Sequence, residues 1–232
     1  AEHENLSGED FLRCVIVGYE IGTRIALVMG REHYKFWHNT ATNGSFAAAA
    51  AAGTAFRLDR DQFANALGIV GTMAAGLQQT FRSDNLAKPM HGAHAADTGI
   101  LAAQSAKNGI TGALDILEGE VGYGAAMSKD CDWSKVTEGL GEWYNVARMT
   151  TKNHGCCGHA FAAIDGAMIS KGEKRLLGHG IDRFGCRECR DIQRVGEGWI
   201  LGPGTGHQQS LGLRTVLFQF TPTFSVHEIV ER

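Results

Sequence analysis

The chain has 232 residues, a formal net charge of −3 at pH 7 and 44% hydrophobic residues. This length and apolar content suit one large domain, or one domain with part of a second. Because its 22 Lys and Arg residues are spread rather than clustered and no apolar run reaches the roughly 18 residues of a membrane span, we expect a cytoplasmic protein with neither nucleic acid nor membrane as a partner.

Residues 1–145 show helical periodicity and no strand pattern. Ser7 begins a capping-box-like start, and apolar residues then recur at helical spacing as far as Gly30. The aromatic-rich stretch that follows breaks this period and predicts a loop. We predict helices at residues 7–30, 44–53, 59–77, 88–108 and 111–118, with loops at 31–40 and 78–87 and a Gly-rich turn at 119–124. Residues 1–145 are therefore predicted to form an all-α helical bundle.

The character of the sequence changes near residue 146. We predict an extended entry at 145–151, a polar loop at 152–159, a helix at 160–170, and strands at 191–195 and 214–220. The predicted fold is therefore mainly α, with an all-α domain at 1–145 followed by part of a smaller α+β domain at 146–232.

The start of the predicted helix at residue 88 has the features of an anion site. Pro89 is favoured at the first helical position, which places Lys88 at the mouth of the helix beside unpaired backbone N–H groups. His91 follows on the same side. One charge-assisted contact to a carboxylate there contributes roughly 1.5–3 kcal/mol. Alternatively, the histidines of this helix are hydrogen-bonded packing residues and Lys88 is a solvated cap.

Three predicted loops each carry a basic group at the edge of a helix: His38, Lys88, and Lys152 with His154 and His159. Ammonium groups can hold the carboxylates of a small polyanion while a neutral imidazole moves a proton at a neighbouring carbon. The alternative is three unrelated solvated loops.

A zinc site is a further hypothesis, based on Cys156, Cys157, His159 and the Cys186/Cys189 pair. Adjacent cysteines seldom ligate one tetrahedral ion together, so we favour reduced thiols and expect no metal. The Gly-rich run at 202–206 lacks the Gly-Lys-Ser/Thr ending of a phosphate-binding loop.

Five motifs taken together resemble the MmgE/PrpD family over roughly residues 8–170. They are Gly18 to Arg24; Phe36 to Thr40 with Gly44-Ser-Phe-Ala-Ala-Ala; Leu58-Asp59 with Ala66-Leu-Gly-Ile; Lys88-Pro-Met-His91-Gly with Ala95-Ala and Gly99; and Gly109-Ile-Thr-Gly112 with Ile116-Leu-Glu-Gly119. The family includes enzymes of the 2-methylcitrate dehydratase, cis-aconitate decarboxylase and iminodisuccinate epimerase types.

This resemblance implies a helical domain with a smaller α+β lid domain, a homodimer, and a cofactor-free site for a small di- or tricarboxylate. The family's catalytic groups correspond to His38 as proton donor or acceptor, and to Lys88 and Lys152 as carboxylate holders. Thr40, His91, His154 and His159 are expected to bind substrate.

The resemblance predicts a lyase acting on a small di- or tricarboxylate. An isomerase that epimerises a dicarboxylate is an alternative, and a non-catalytic remnant of the family is another. The remnant hypothesis rests on the family's upstream Asp-Asp-Thr/His segment and His-Pro-Ser loop, which this sequence does not contain. From this we expect poor solubility as a monomer.

Overall fold

The computed structural model describes residues 1–149, 151–152, 154–155 and 158–172, apart from the side chains of residues 159 and 169–172. Contacts within the chain form two units, Ala1–Met149 and Thr150–Arg232, and each unit is considered by itself. The strands predicted at 191–195 and 214–220 lie outside the described residues.

The described part of the chain is helical, which confirms the mainly α prediction there. Its α-helices are α1 (Gly8–Phe36), α2 (Asn43–Ala55), α3 (Arg60–Gly71), α4 (Lys88–Lys107), α5 (Tyr123–Met127) and α6 (Phe161–Gly172). Short 3-10 helices occur at Gln78–Arg82, Trp133–Lys135, Asn145–Arg148 and Gly158–Ala160. Extended pairing within these residues amounts to one isolated antiparallel bridge between Trp37 and Leu77. None of the helices described is long and apolar enough to cross a membrane.

Helix α1 begins as predicted, because the Ser7 hydroxyl accepts a hydrogen bond from the Asp10 backbone N–H at 3.1 Å. The loop predicted from residue 31 is wrong as far as Phe36. The backbone leaves helical geometry at Gly30 (φ 66°, ψ −165°) and then resumes the helix. This kink resets the phase of the apolar stripe, so the second segment does not continue the period of the first. It buries His33 completely.

Helix α2 lies between α1, α3 and α4, and its small residues explain how closely these helices pack. A Cβ atom at Gly99 of α4 would lie only 2.4 Å from the Ala48 Cβ and 2.6 Å from the Ala49 backbone nitrogen. The two backbones therefore meet where neither has room for a larger side chain. Phe46 of α2 is completely buried in the core beside Met29 and Val70.

The helix predicted at 111–118 is wrong, because this segment forms turns packed on α3. The Gly112 N–H donates to the Asn65 side-chain oxygen at 3.0 Å. Ile116 lies against Gly71, where its Cγ1 is 2.5 Å from the position a Cβ would take. These long-range contacts prevent the segment from forming a helix. The next helix along the chain is α5, which begins within the predicted Gly-rich turn.

Two further boundaries differ from the prediction. Helix α3 ends at Gly71 rather than near residue 77, because the chain then extends to pair Leu77 with Trp37. The extended entry predicted at 145–151 begins instead with a 3-10 helix, and the Asn145 N–H donates to the Glu20 carboxylate at 3.0 Å.

Glu20 belongs to a buried ion pair that ties the segment after α5 to α1. Its carboxylate accepts a hydrogen bond from Arg24 Nε at 2.5 Å, and both side chains are almost fully buried. Arg24 Nη1 also donates to the carbonyls of Val136 and Glu138, at 3.2 and 2.8 Å. The Arg24 guanidinium lies 4.8 Å from the Trp143 ring centroid.

Candidate active site

His38 lies just after α1, where two distant parts of the chain pair. Its backbone N–H donates to the Gly76 carbonyl at 2.9 Å, next to the Trp37–Leu77 bridge. Gly76 has φ +152°, and a Cβ there would lie 2.2 Å from the Ala41 Cβ. This position therefore requires glycine, and the pairing it allows fixes the backbone of His38.

The His38 side chain meets the side chain of His91 from the first turns of α4. Their Nδ1 atoms are 2.8 Å apart, a hydrogen-bonding distance. His38 is only 9% exposed, and His91 is half-buried. Two facing lone pairs would repel, so one Nδ1 carries a proton and donates a hydrogen bond, and the other Nδ1 accepts that hydrogen bond. The two histidines therefore adopt complementary tautomers when both are neutral.

Phe81 and Lys88 complete this cluster. The edge of the Phe81 ring packs on His38, with centroids 4.7 Å apart. Lys88, the first residue of α4, is exposed and has its Nζ 5.3 Å from the Phe81 ring centroid. An ammonium group, an aromatic wall and two imidazoles are thus assembled at the N-terminal end of a 20-residue helix, where the helix dipole favours negative charge.

The surroundings of His38 keep its imidazole neutral. Burial, followed by the nearby His91 and the Lys88 ammonium, lowers the pKa of His38 from 6.5 to about 4. At pH 7 the ring is therefore neutral, with one N–H and one lone pair.

The packing interpretation of the histidines of α4 applies to His94. Its Nε2 lies 3.1 Å from the Met73 carbonyl oxygen, so this ring nitrogen donates to a backbone group. His94 is half-buried like His91 but does not join the His38 cluster. The two histidines of one helix therefore differ in role.

A buried polar network behind the cluster was not predicted. His33 Nδ1 lies 3.2 Å from the Met127 carbonyl, and His33 Nε2 lies 2.8 Å from the Thr42 hydroxyl. Burial lowers the pKa of His33, so Nδ1–H donates to the carbonyl and Nε2 accepts from Thr42. Thr42 also donates its backbone N–H to the His38 carbonyl at 3.1 Å. No sequence signal singled out His33, because it fell in a predicted loop.

The other predicted site residues are Thr40 in the first unit and three residues of the second unit. Thr40 is exposed, two residues after His38. Lys152 and His154 belong to the second unit, where His154 Nε2 contacts the Asp165 carboxylate at 2.6 Å. His159 lies in the 3-10 helix Gly158–Ala160 of the same unit, and the structure describes only its backbone. The structure thus brings His38, Lys88 and His91 together and leaves the role of the second unit as a prediction.

In the part of the chain that the structure describes, no three or more His, Cys, Asp or Glu side chains form a group that could hold a metal ion. Cys156, Cys157, Cys186 and Cys189, on which the zinc hypothesis rests, lie outside that part.

The sequence of the first unit is similar to that of a known protein family. The sequence model of the MmgE/PrpD N-terminal domain matches residues 1–136, more than half of the chain. The chain belongs to the MmgE/PrpD family. This match includes all four residues of the cluster around His38, and it ends before Lys152.

Curated relatives of this MmgE/PrpD chain are fungal proteins. A cis-aconitate decarboxylase-like protein, oryM, from Aspergillus oryzae is 28% identical over 82% of this chain and 40% of its own length. A cis-aconitate decarboxylase from Aspergillus terreus is 30% identical over 70% of this chain and 35% of its own length. The chain therefore spans well under half the length of the relatives it matches.

Proposed function

We propose that this MmgE/PrpD chain is part of a cofactor-independent lyase that acts on a small di- or tricarboxylate, of the cis-aconitate decarboxylase type. The observation that carries the proposal is the buried, neutral His38, 2.8 Å from His91 and close to the Lys88 ammonium at the start of α4. The similarity to proteins named as cis-aconitate decarboxylases supports the choice of substrate class.

In this proposal His38 transfers the proton at the substrate carbon. The carbon–carbon bond to one carboxylate breaks, carbon dioxide leaves, and the electron pair left on the substrate takes up a proton. Lys88, with the N–H groups that begin α4, holds a second carboxylate and stabilises the developing negative charge. His91 lies beside that carboxylate. Thr40, Lys152, His154 and His159 are proposed to hold the remaining oxygens, and a homodimer stays a prediction.

The test is NMR of the purified 232-residue chain in D2O with cis-aconitate, 2-methylcitrate and iminodisuccinate. We expect cis-aconitate to lose carbon dioxide and to give a product with deuterium at the protonated carbon. His38→Gln, which keeps a hydrogen-bonding side chain, should lower this rate by about 10²-fold or more. Equal rates for the parent and His38→Gln would contradict the proposed role of His38.

An epimerase is the second candidate, and the imidazole pair is the observation that favours it. Two adjacent rings with complementary tautomers can remove a proton from one carbon and return one. The same NMR experiment separates the two reactions. An epimerase would put deuterium into recovered dicarboxylate without release of carbon dioxide, whereas the proposed lyase would release it. Binding without either reaction would favour a non-catalytic remnant.

A further inference from the structure

The contact between His38 and His91 restricts where protons can lie. The neutral pair has four ring nitrogens and two protons, and one proton must occupy the 2.8 Å gap between the two Nδ1 atoms. The other proton is then on the Nε2 of the ring whose Nδ1 accepts. Among the described residues, neither the Nε2 of His38 nor the Nε2 of His91 has a hydrogen-bonding partner.

We propose that His91 is a proton relay for His38. When His38 Nε2 gives its proton to the substrate, the Nδ1–H proton of His91 moves to His38 Nδ1. This inference rests on the proposed function, and it gives His91 a role in the proton transfer itself in addition to any contact with a carboxylate.

The chemistry of a neutral imidazole makes such a partner necessary. A neutral ring that loses its N–H proton alone becomes an imidazolate anion, which is a very unfavourable product in a site of low polarity. The burial of His38 and the neighbouring Lys88 ammonium keep the ring from carrying an extra proton. If His91 gives its Nδ1 proton to His38 Nδ1 as His38 Nε2 loses one, and takes a proton from water at its own Nε2, both rings stay neutral throughout the step.

The protons and electrons of the proposed step balance. The bond between the substrate carbon and its carboxylate breaks, and its electron pair stays on the substrate as carbon dioxide leaves. The proton from His38 Nε2 forms the new C–H bond, and the His91 Nδ1 proton moves to His38 Nδ1. In the same step His91 Nε2 takes one proton from water, so that neither ring becomes an imidazolate and one solvent proton is consumed for each carbon dioxide released. The pair ends in the opposite tautomer and returns by exchange with solvent.

The arrangement of the pair can be tested without substrate. In the chain labelled with ¹⁵N in its histidine rings, we expect opposite protonation at Nδ1 and Nε2 in His38 and His91. We also expect a scalar coupling between the two Nδ1 atoms across the hydrogen bond. His94 in the same sample is the reference, because its contact is to a backbone carbonyl. The same tautomer in both rings, or no coupling, would overturn the relay.

The role of the pair in turnover is tested with His91→Gln and the matched variant His94→Gln, both on α4. Glutamine can hydrogen-bond to His38 but cannot pass a proton on, so kcat should fall about 10²-fold with little change in KM. In mixtures of H2O and D2O, the rate of the parent should be a curved function of the deuterium fraction, as expected when more than one proton moves in the step. The rate of His91→Gln should depend on the deuterium fraction linearly. His94→Gln should keep the parent's rate and curvature.

The outcomes separate this inference from the proposed function. Turnover with a linear dependence in the parent, or an unchanged kcat in His91→Gln, would overturn the relay and leave the lyase proposal standing. Complementary tautomers with no turnover on any acid would overturn the proposed function, and the relay with it.

Discussion

At the scale of single residues, the environment of His38 predicts a pH-dependent stability. Its folded-state pKa of about 4 lies below the value of about 6.5 in an unfolded chain, so the unfolded state takes up the proton first as the pH falls. The contribution of His38 to the free energy of unfolding is therefore fully present above about pH 6.5 and is lost as the pH falls towards 4. We expect this loss to be about 2.5 kcal/mol at pH 4.5.

The measurement is urea unfolding at pH 7 and pH 4.5 for the parent chain and His38→Gln. Glutamine does not titrate, so the parent should lose about 2.5 kcal/mol more free energy of unfolding between the two pH values than the variant does. Other groups that titrate in this range contribute to both proteins and cancel in the comparison. Equal losses would show that His38 is not held neutral by the fold.

The individual site residues were predictable only in part. Lys88 and His91 were found because Pro89 marks a helix start, which is a local property of the chain. That His91 meets His38 was not predictable, since the contact joins residues 53 positions apart through the pairing of Trp37 with Leu77. Phe81 gave no signal, because one exposed aromatic in a predicted loop has many interpretations.

At the scale of helices, the close approach of α4 to α2 predicts opposite effects for two glycines of α4. Gly99→Ala places a Cβ 2.4 Å from the Ala48 Cβ, and we expect a loss of about 1–3 kcal/mol in the free energy of unfolding. A Cβ at Gly92 would have nothing within 4 Å. Gly92→Ala should instead stabilise the chain by about 0.5–1 kcal/mol, because alanine favours the helix.

Thermal or urea unfolding of both variants checks this prediction. The two substitutions make the same chemical change on the same helix, so their difference isolates the helix contact from helix propensity. If Gly99→Ala were as stable as Gly92→Ala, the packing of α4 on α2 described above would be wrong.

Helices were predictable where local sequence decides them. The alanine run gave α2, and the proline start gave α4 close to its observed range, Lys88–Lys107. Residues 111–118 have helical composition, yet contacts of Gly112 with Asn65 and of Ile116 with α3 override it. The helical segment after Gly30 was missed for a similar reason, because burial of His33 stabilises it and local periodicity does not show this.

At the scale of the whole unit Ala1–Met149, the site is a product of the folded chain and of no single segment. His38 follows α1, Phe81 lies in the 3-10 helix Gln78–Arg82, and Lys88 and His91 begin α4. Helical periodicity correctly favoured a helical protein without indicating this assembly. We propose that the assembled cluster binds a small polycarboxylate.

The most direct test of that claim is a titration of the ¹⁵N-labelled chain with cis-aconitate, followed by NMR, for the parent, Lys88→Met and Lys107→Met. Both lysines belong to α4, and each lies about as close to a phenylalanine ring, at 5.3 Å from Phe81 and 5.0 Å from Phe56. We predict that Lys88→Met weakens binding by about 10-fold or more, since it removes a charge-assisted contact, and that Lys107→Met binds as the parent does. Equal affinities for all three proteins would contradict a carboxylate site at the start of α4.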